Sequence, residues 1–164
     1  MEKKIHVITI SRQYGAGGSE LGLLLSEKLG IPLYNHEILS EISRGTGIRE
    51  NVLRAADERM DNFQANRLIE FLPSRERAEK GPCVFVGRLA DYALREREDV
   101  LAVFLYAPKE WRVRRMMRME NIPGDEAARK RRRIDRERRS YCKYYTGREW
   151  DDCSRYDYMF NTAS

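Results

Sequence analysis

The chain has 164 residues, of which 41% are hydrophobic and 35% charged, with a formal net charge of +5. This length is typical of one domain, for which roughly 100–200 residues is usual, and it allows one buried core without disulfides. The three cysteines form no CxxC pair and there are two histidines, which argues against a disulfide framework or a zinc site. No apolar run has the length of a membrane span or the form of a signal peptide. We therefore expect a cytoplasmic protein that binds no membrane and whose basic surface attracts anions.

A predicted strand, a glycine-rich loop and a helix open the chain. Residues 5–11 form a short, β-branched apolar run, which is typical of a buried strand. Gly15, Gly17 and Gly18 follow this run, and leucines at helical spacing come next. Residues 31–34 form a second apolar run, so the order strand, helix, strand predicts a βαβ unit.

The rest of the chain alternates apolar runs with helical segments. Residues 37–80 are charge-dense and helical in pattern, and we expect them to lie partly over a site. The runs at 82–87, 100–106 and 156–161 predict three further strands. Between the last two runs the sequence is helical and rich in arginine. Buried strands alternating with helices predict an α/β fold, with a five-stranded parallel sheet covered by helices on both faces.

The glycine loop has the position of a phosphate-binding loop but only part of its motif. In the register G-x-x-x-x-G-K-[ST], Arg12 stands at the first glycine, Gly18 at the lysine and Ser19 at the Ser/Thr. Backbone N–H groups of such a loop, with a helix N-terminus behind them, hold a phosphate. The predicted phosphate-binding residues are Arg12, Gly15, Ala16, Gly17, Gly18, Ser19 and Glu20. Arg12 is a hypothetical source of the missing charge, and Ser19 the predicted Mg²⁺ ligand. The alternative is a glycine-rich turn that only packs a helix on the sheet.

Several stretches of the sequence resemble the cytidylate-kinase-like family of P-loop proteins. They are the Gly87-Arg88 pair that opens GRLADY, the basic segment with Arg112, Arg114 and Arg115, the R-x-x-x-D-x-x-R of Arg131, Asp135 and Arg138, and YYTG at Tyr144–Gly147. The resemblance covers nearly all of the chain and implies a single P-loop domain, residues 1–164, with strand order 2-3-1-4-5. It implies an acceptor-side helical segment at about residues 37–80 and an arginine-rich lid at about residues 112–150. A helix is expected after the last strand of such a fold, and the sequence ends without one.

The resemblance also implies a reaction, the transfer of the γ-phosphate of ATP, bound with Mg²⁺, to a nucleoside monophosphate such as CMP or dCMP. The implied acceptor contacts are His36, Arg88 and Asp91, and the implied catalytic residues are Arg131, Asp135 and Arg138. In this assignment the lid arginines contact the transferring phosphoryl group, and Asp135 orients one of them. Structural alternatives stay open, with His36 as a loop residue, Arg88 as a surface charge at a strand end and Asp91 as a helix-start carboxylate. Asp135 is alternatively a local partner of Arg138 or Arg132.

Two other functions stay open from the sequence. The absent loop lysine favours a nucleotide-binding or regulatory protein without catalysis. The arginine-rich helices between residues 109 and 143 suggest nucleic-acid binding, but Trp111 is the one aromatic residue among the arginines before Tyr141, and this scarcity of stacking residues argues against it. The sequence does not indicate the oligomeric state.

Overall fold

The computed structural model describes residues 4–35, 74–87 and 89–163. Within these ranges a single parallel sheet contains β1 (Val7–Arg12), β2 (Leu33–Tyr34), β3 (Cys83–Val86), β4 (Val100–Tyr106) and β5 (Tyr158–Asn161). The spatial order is β2-β3-β1-β4-β5, and every neighbouring pair is parallel. The predicted sheet, its strand positions and its order are confirmed.

The helices of the described residues are α1 (Gly18–Leu29), the short α2 (Ala90–Ala93), α3 (Lys109–Glu120) and α4 (Gly124–Thr146). Residues 74–80 are also helical, and Cys153–Arg155 form a turn of 3-10 helix. None of the helices in these ranges is both long and apolar enough to cross a bilayer. Most of the predicted acceptor-side segment, residues 37–80, lies outside the described residues.

The two faces of the sheet pack on different partners, because successive side chains of a strand point to opposite faces. Ile8 and Ile10 of β1 lie in the core cluster that includes Leu21 and Leu25 of α1. Val7, on the opposite face, packs in the cluster of α2. All residues of β1 are buried, as expected of the central strand of a sheet covered on both sides.

Helix α1 lies very close to the sheet at Gly22. A Cβ at this position would be 2.5 Å from Val86 Cγ2 and 3.0 Å from Leu33 Cδ1. Any larger residue would push the helix away from β3. Gly22 therefore fixes the distance between the start of α1 and the carboxyl ends of the strands, where the glycine loop lies.

The second part of α4 belongs to the core. Tyr141 and Cys142 are buried with Phe104 and Trp150, and the Phe104 and Trp150 rings meet edge to face with centroids 5.4 Å apart. An opening lid has to leave these residues in place. The lid that we predicted over about residues 112–150 therefore stays a prediction only for the part before Tyr141.

Candidate phosphate-binding site

The glycine loop lies at the carboxyl end of the central strand. β1 is flanked by β3 on one side and β4 on the other, so the strand order reverses at this point. In open parallel sheets, ligands bind in the crevice at such a switch point. Gly15 and Gly17 have φ angles of 82° and 89°, the left-handed region that side chains disfavour. These two glycines allow the chain to turn sharply from β1 into α1.

The start of α1 faces this loop without a cap. No side chain of the described residues caps the helix, whose N-cap residue is Gly17. The first N–H groups of a helix have no intrahelical acceptor and carry partial positive charge, so they attract an anion. The hydroxyl of Ser19 accepts a hydrogen bond of 3.1 Å from Asn35 Nδ2, after β2. Ala16 was predicted to bind phosphate. In the structure its side chain is buried and its N–H donates to the Gln13 carbonyl at 3.2 Å.

A cleft of about 330 Å³ opens in front of the loop, between the loop and helices α3 and α4. Three of its lining side chains are cationic, namely Arg12, Arg115 and Arg138, and two are acidic, namely Glu20 and Glu120. Arg115 Nη2 lies 2.6 Å from Glu20 Oε1, and Arg138 Nη1 donates to the Arg12 carbonyl at 3.1 Å. Together with the start of α1, these arginines give the cleft a positive character suited to phosphate.

Arg12 links the ends of two strands. The residue is 8% exposed, and its Nη1 donates to the Gly87 carbonyl at 3.2 Å. Arg12 is the last residue of β1 and Gly87 follows the last residue of β3. The guanidinium therefore lies at the carboxyl edge of the sheet. Its acceptor, Gly87, directly precedes Arg88 in the sequence. Arg88 and His36, two of the predicted acceptor contacts, lie outside the described residues and stay predictions.

A single carboxylate joins the loop to α3 and α4. Asp135 accepts hydrogen bonds from the backbone N–H of Tyr14 at 2.9 Å and from Arg112 Nη1 at 2.6 Å. Arg112 in turn donates to the carbonyls of Tyr14 and Ala107, each at 3.0 Å. Asp135 was predicted to orient Arg131 or Arg138, but its shortest contact with an arginine is with Arg112. The contact between Asp135 and Arg112 was not predicted from the sequence. Arg112 and Met116 are the buried residues of α3, and their spacing of four positions was the signal that Arg112 lies on the buried face of the helix.

Arg131 differs from its predicted place. It is 7% exposed, it lies 3.5 Å from Asp135 Oδ2, and it does not line the cleft. Burial and the neighbouring Arg112 lower the pKa of Arg131. In this conformation Arg131 supports the junction of α3 and α4, and Arg138 is the predicted catalytic arginine that does line the cleft.

Tyr14, at the tip of the loop, makes a second connection to the helices. Its hydroxyl donates to Glu120 Oε1 at 2.6 Å, and Lys130 also pairs with Glu120. Its ring centroid lies 5.4 Å from the guanidinium carbon of Arg138. Tyr14 thus joins the loop to the end of α3 and to the beginning of α4.

Asp91 is not in the cleft of the glycine loop. Its carboxylate pairs with Arg155 at 2.7 Å, and the two side chains are 4% and 2% exposed. Both residues line a different cavity, of about 270 Å³. Burial raises the pKa of Asp91, although Arg155 opposes this shift. The structure therefore gives Asp91 a structural ion pair in place of the predicted acceptor contact.

The predicted Mg²⁺ ligand, Ser19, lines the cleft. The described residues contain no group of three or more His, Cys, Asp or Glu side chains suited to a metal ion. Ser19 is exposed on the first turn of α1, beside the loop. Mg²⁺ usually binds through one or two protein ligands together with phosphates and water, so a single hydroxyl at this place fits an ion that arrives with a nucleotide.

Comparison with known proteins identifies the family. The model of the cytidylate kinase-like family matches residues 7–164. The chain belongs to the cytidylate kinase-like family. It is 30% identical over 171 residues to a cytidylate kinase of Methanopyrus kandleri, with 96% of this chain and 84% of that protein covered. It is 30% identical over 164 residues to a cytidylate kinase of Methanosarcina mazei, with 94% and 86% covered.

Solved structures support the same architecture. An uncharacterised protein from Eubacterium ventriosum has a TM-score of 0.71 at 26% identity, covering 96% of this chain and 88% of that one. Shikimate kinase from Acinetobacter baumannii, in complex with shikimate, has a TM-score of 0.55 at 20% identity, with 97% and 84% covered. At that identity the kinase shows the fold alone. This member of the cytidylate kinase-like family therefore has the P-loop kinase architecture, with an altered phosphate loop.

Proposed function

We propose that this protein is a nucleotide-binding phosphotransferase that transfers the γ-phosphate of ATP to a cytidine monophosphate, CMP or dCMP. The observation that carries the proposal is the convergence of Arg12, Arg115 and Arg138 on one cleft in front of an uncapped helix N-terminus. These residues come from β1, α3 and α4. Such a concentration of positive charge suits a polyphosphate, and the curated relatives are cytidylate kinases.

The chemistry asks the protein to position two phosphates and to offset the charge between them. The loop and the start of α1 hold the β-phosphate of ATP, and Arg115 and Arg138 contact the γ-phosphoryl group. Ser19 offers its hydroxyl to Mg²⁺, which when bound with ATP neutralises phosphate charge. An oxygen of the acceptor phosphate forms the new P–O bond as the bond to the leaving ADP oxygen breaks. The acceptor phosphate is ionised at neutral pH, so no general base is required.

The acceptor side of the proposal depends on Arg88. This residue follows Gly87, whose carbonyl accepts the hydrogen bond from Arg12. An acceptor phosphate held there would stand next to the donor loop, as direct transfer requires. His36 is the proposed second contact of the acceptor.

The experiment is an assay of ADP release with CMP, dCMP, UMP and AMP as acceptors. We expect kcat/KM to be highest for CMP or dCMP, and Arg138→Ala to lower it about 100-fold, the usual cost of losing a transition-state contact. Arg129→Ala is the matched control, because Arg129 lies on the same helix, is exposed and pairs with Asp125 at 3.0 Å. Turnover at background level with all four acceptors would reject the kinase proposal.

A second candidate function follows from the absence of the loop lysine, whose position is occupied by Gly18. A protein that binds ATP but transfers no phosphate would be a non-catalytic nucleotide-binding member of the family. Calorimetric titration with ATP separates this case, because binding would persist while ADP release stays at background. Nucleic-acid binding receives less support, because Arg129, Arg133 and Arg139 of α4 lie within 3.3 Å of carboxylates.

A further inference from the structure

We infer, on the basis of the proposed function, that Arg12 supplies the cation that the phosphate loop lacks at Gly18. The two positions have exchanged roles: the motif has glycine at the position of Arg12 and lysine at the position of Gly18. The arginine now extends from the strand side of the loop, where the lysine would extend from the helix side.

The space over Gly18 is filled by the stem of Arg12. A Cβ on Gly18 would lie 2.7 Å from Arg12 Cγ, 2.9 Å from Cδ and 3.2 Å from Cβ. The φ of Gly18 is outside the left-handed region, so its backbone accepts a side chain. Space, and not backbone conformation, therefore requires glycine here. A lysine at this position and the arginine at position 12 exclude each other.

The guanidinium of Arg12 lies at the carboxyl edge of the sheet and lines the cleft in front of the glycine loop. Its Nη1 is 3.2 Å from the carbonyl of Gly87, and Arg12 lines the same cleft as Gly17, Gly18 and Ser19. The group is thus held between the start of α1 and the end of β3. A cation there adds to the partial positive charge of the helix N-terminus, so together they attract the neighbouring β- and γ-phosphates of ATP.

Arginine and lysine bind phosphate in different ways. A guanidinium is planar and contacts two phosphate oxygens at once, whereas an ammonium acts as a point charge. The side chain of Arg12 also donates a hydrogen bond to the carbonyl of Gly87, directly after β3, which fixes its direction. We expect Arg12 to contact the γ-phosphoryl group during transfer, and Arg12→Lys to be a poor substitute.

The exchange of roles is tested by swapping the two residues back. Arg12→Met keeps a stem over Gly18 without the charge, and we expect it to stay folded and to lower kcat/KM about 100-fold. Gly18→Lys alone should lower both activity and melting temperature, because two side chains compete for one space. The double variant Arg12→Gly with Gly18→Lys should recover at least tenfold in kcat/KM over Arg12→Gly. Arg129→Ala again serves as the control that keeps wild-type values.

Two results would overturn the inference. One is wild-type kcat/KM in Arg12→Met, and the other is a folded double variant no more active than Arg12→Gly. Calorimetric titration with ATP separates this failure from failure of the proposed function. If the wild type has no turnover with any acceptor, the kinase proposal fails, yet Arg12→Met must still weaken ATP binding at least tenfold. Unchanged ATP affinity in that variant would reject the role of Arg12 by itself.

Discussion

The backbone N–H of Tyr14 donates a hydrogen bond of 2.9 Å to the carboxylate of Asp135, 121 positions later in the chain. Arg112 bridges the same two residues, since it donates to Asp135 at 2.6 Å and to the Tyr14 carbonyl at 3.0 Å. Hydrogen bonds with an ionised partner are stronger than neutral ones. The conformation of the glycine loop is thus coupled to α3 and α4, which line the cleft in front of it.

Asp135→Asn should therefore damage both the fold and the site. The change leaves Arg112, whose side chain is 3% exposed, without its counter-charge. Removing one partner of a buried pair costs about 3 kcal/mol or more, and we expect a loss of this size in the free energy of unfolding. The KM for ATP should also rise, because the loop loses its tether. Urea denaturation and the ADP-release assay measure the two effects.

Asp125→Asn is the control for this change. Asp125 is exposed on the first turn of α4 and pairs with Arg129, so its loss should alter stability by no more than about 0.5 kcal/mol. If Asp135→Asn behaved like Asp125→Asn in both measurements, Asp135 would not be a link between the loop and the helices.

The fold was predictable from the sequence for local reasons. The apolar runs of the central strands are short and β-branched, and glycines follow the first of them. That pattern alone is sufficient to predict the positions of β1 and β4. The strand order came from the family resemblance, since hydrophobic patterns do not reveal which parallel strands are neighbours.

The site was predictable only in part, because its pairings are not local. Asp135 meets Arg112, 23 positions away, and Asp91 meets Arg155, 64 positions away. Arg131 and Arg138 are seven positions apart, which places them on similar sides of a helix. The packing of α4 on α3 then buries Arg131 and leaves Arg138 in the cleft. Helical spacing alone does not separate these two outcomes.

A second prediction concerns Asp91, which we expect to act on stability and not on the acceptor. Asp91→Asn leaves Arg155 buried without its counter-charge, and should lower the free energy of unfolding by about 3 kcal/mol. The acceptor KM of the folded variant should stay within about twofold, because Asp91 lies in a different cavity from the glycine loop.

Glu96→Gln provides the comparison for Asp91. Glu96 is an exposed neighbour whose pair with Arg95 spans 3.7 Å, and its change should have almost no effect on unfolding. A large rise in the acceptor KM of Asp91→Asn, at wild-type stability, would restore Asp91 as an acceptor ligand.

A third prediction concerns Tyr14→Phe, which removes the hydroxyl that donates to Glu120. A hydrogen bond contributes about 1 kcal/mol, which corresponds to about a fivefold shift in the predicted equilibrium between a closed and an open lid. We expect a similar increase in ATP hydrolysis without acceptor, because opening admits water. Tyr158→Phe, on the exposed side of β5, should leave hydrolysis unchanged. Equal hydrolysis in Tyr14→Phe and the wild type would show that the hydroxyl does not hold the helices closed.

The last prediction concerns thiol reactivity and locates the boundary of the lid. Cys83 and Cys142 are buried, and Cys153 is exposed. Burial raises the pKa of Cys83 to about 11 and also raises the pKa of Cys142. The thiolate is the reactive form, so at pH 8 a raised pKa leaves both buried thiols almost entirely protonated and slow to react. We expect a disulfide reagent to label one thiol rapidly in the folded protein, and all three only in urea.

Cys142 tests where the predicted lid ends, because it lies on the part of α4 that packs against Phe104 and Trp150. If the helix opened along its whole length, Cys142 would be exposed at each opening and would react nearly as fast as Cys153. Cys153→Ser gives the control, since it should abolish the rapid phase and leave the slow one. A rapid phase that persists in Cys153→Ser, and that ATP suppresses, would extend the lid through Cys142. If Cys153→Ser shows no rapid phase, the predicted lid is confined to the part of α4 before Tyr141. That part includes Asp135 and Arg138.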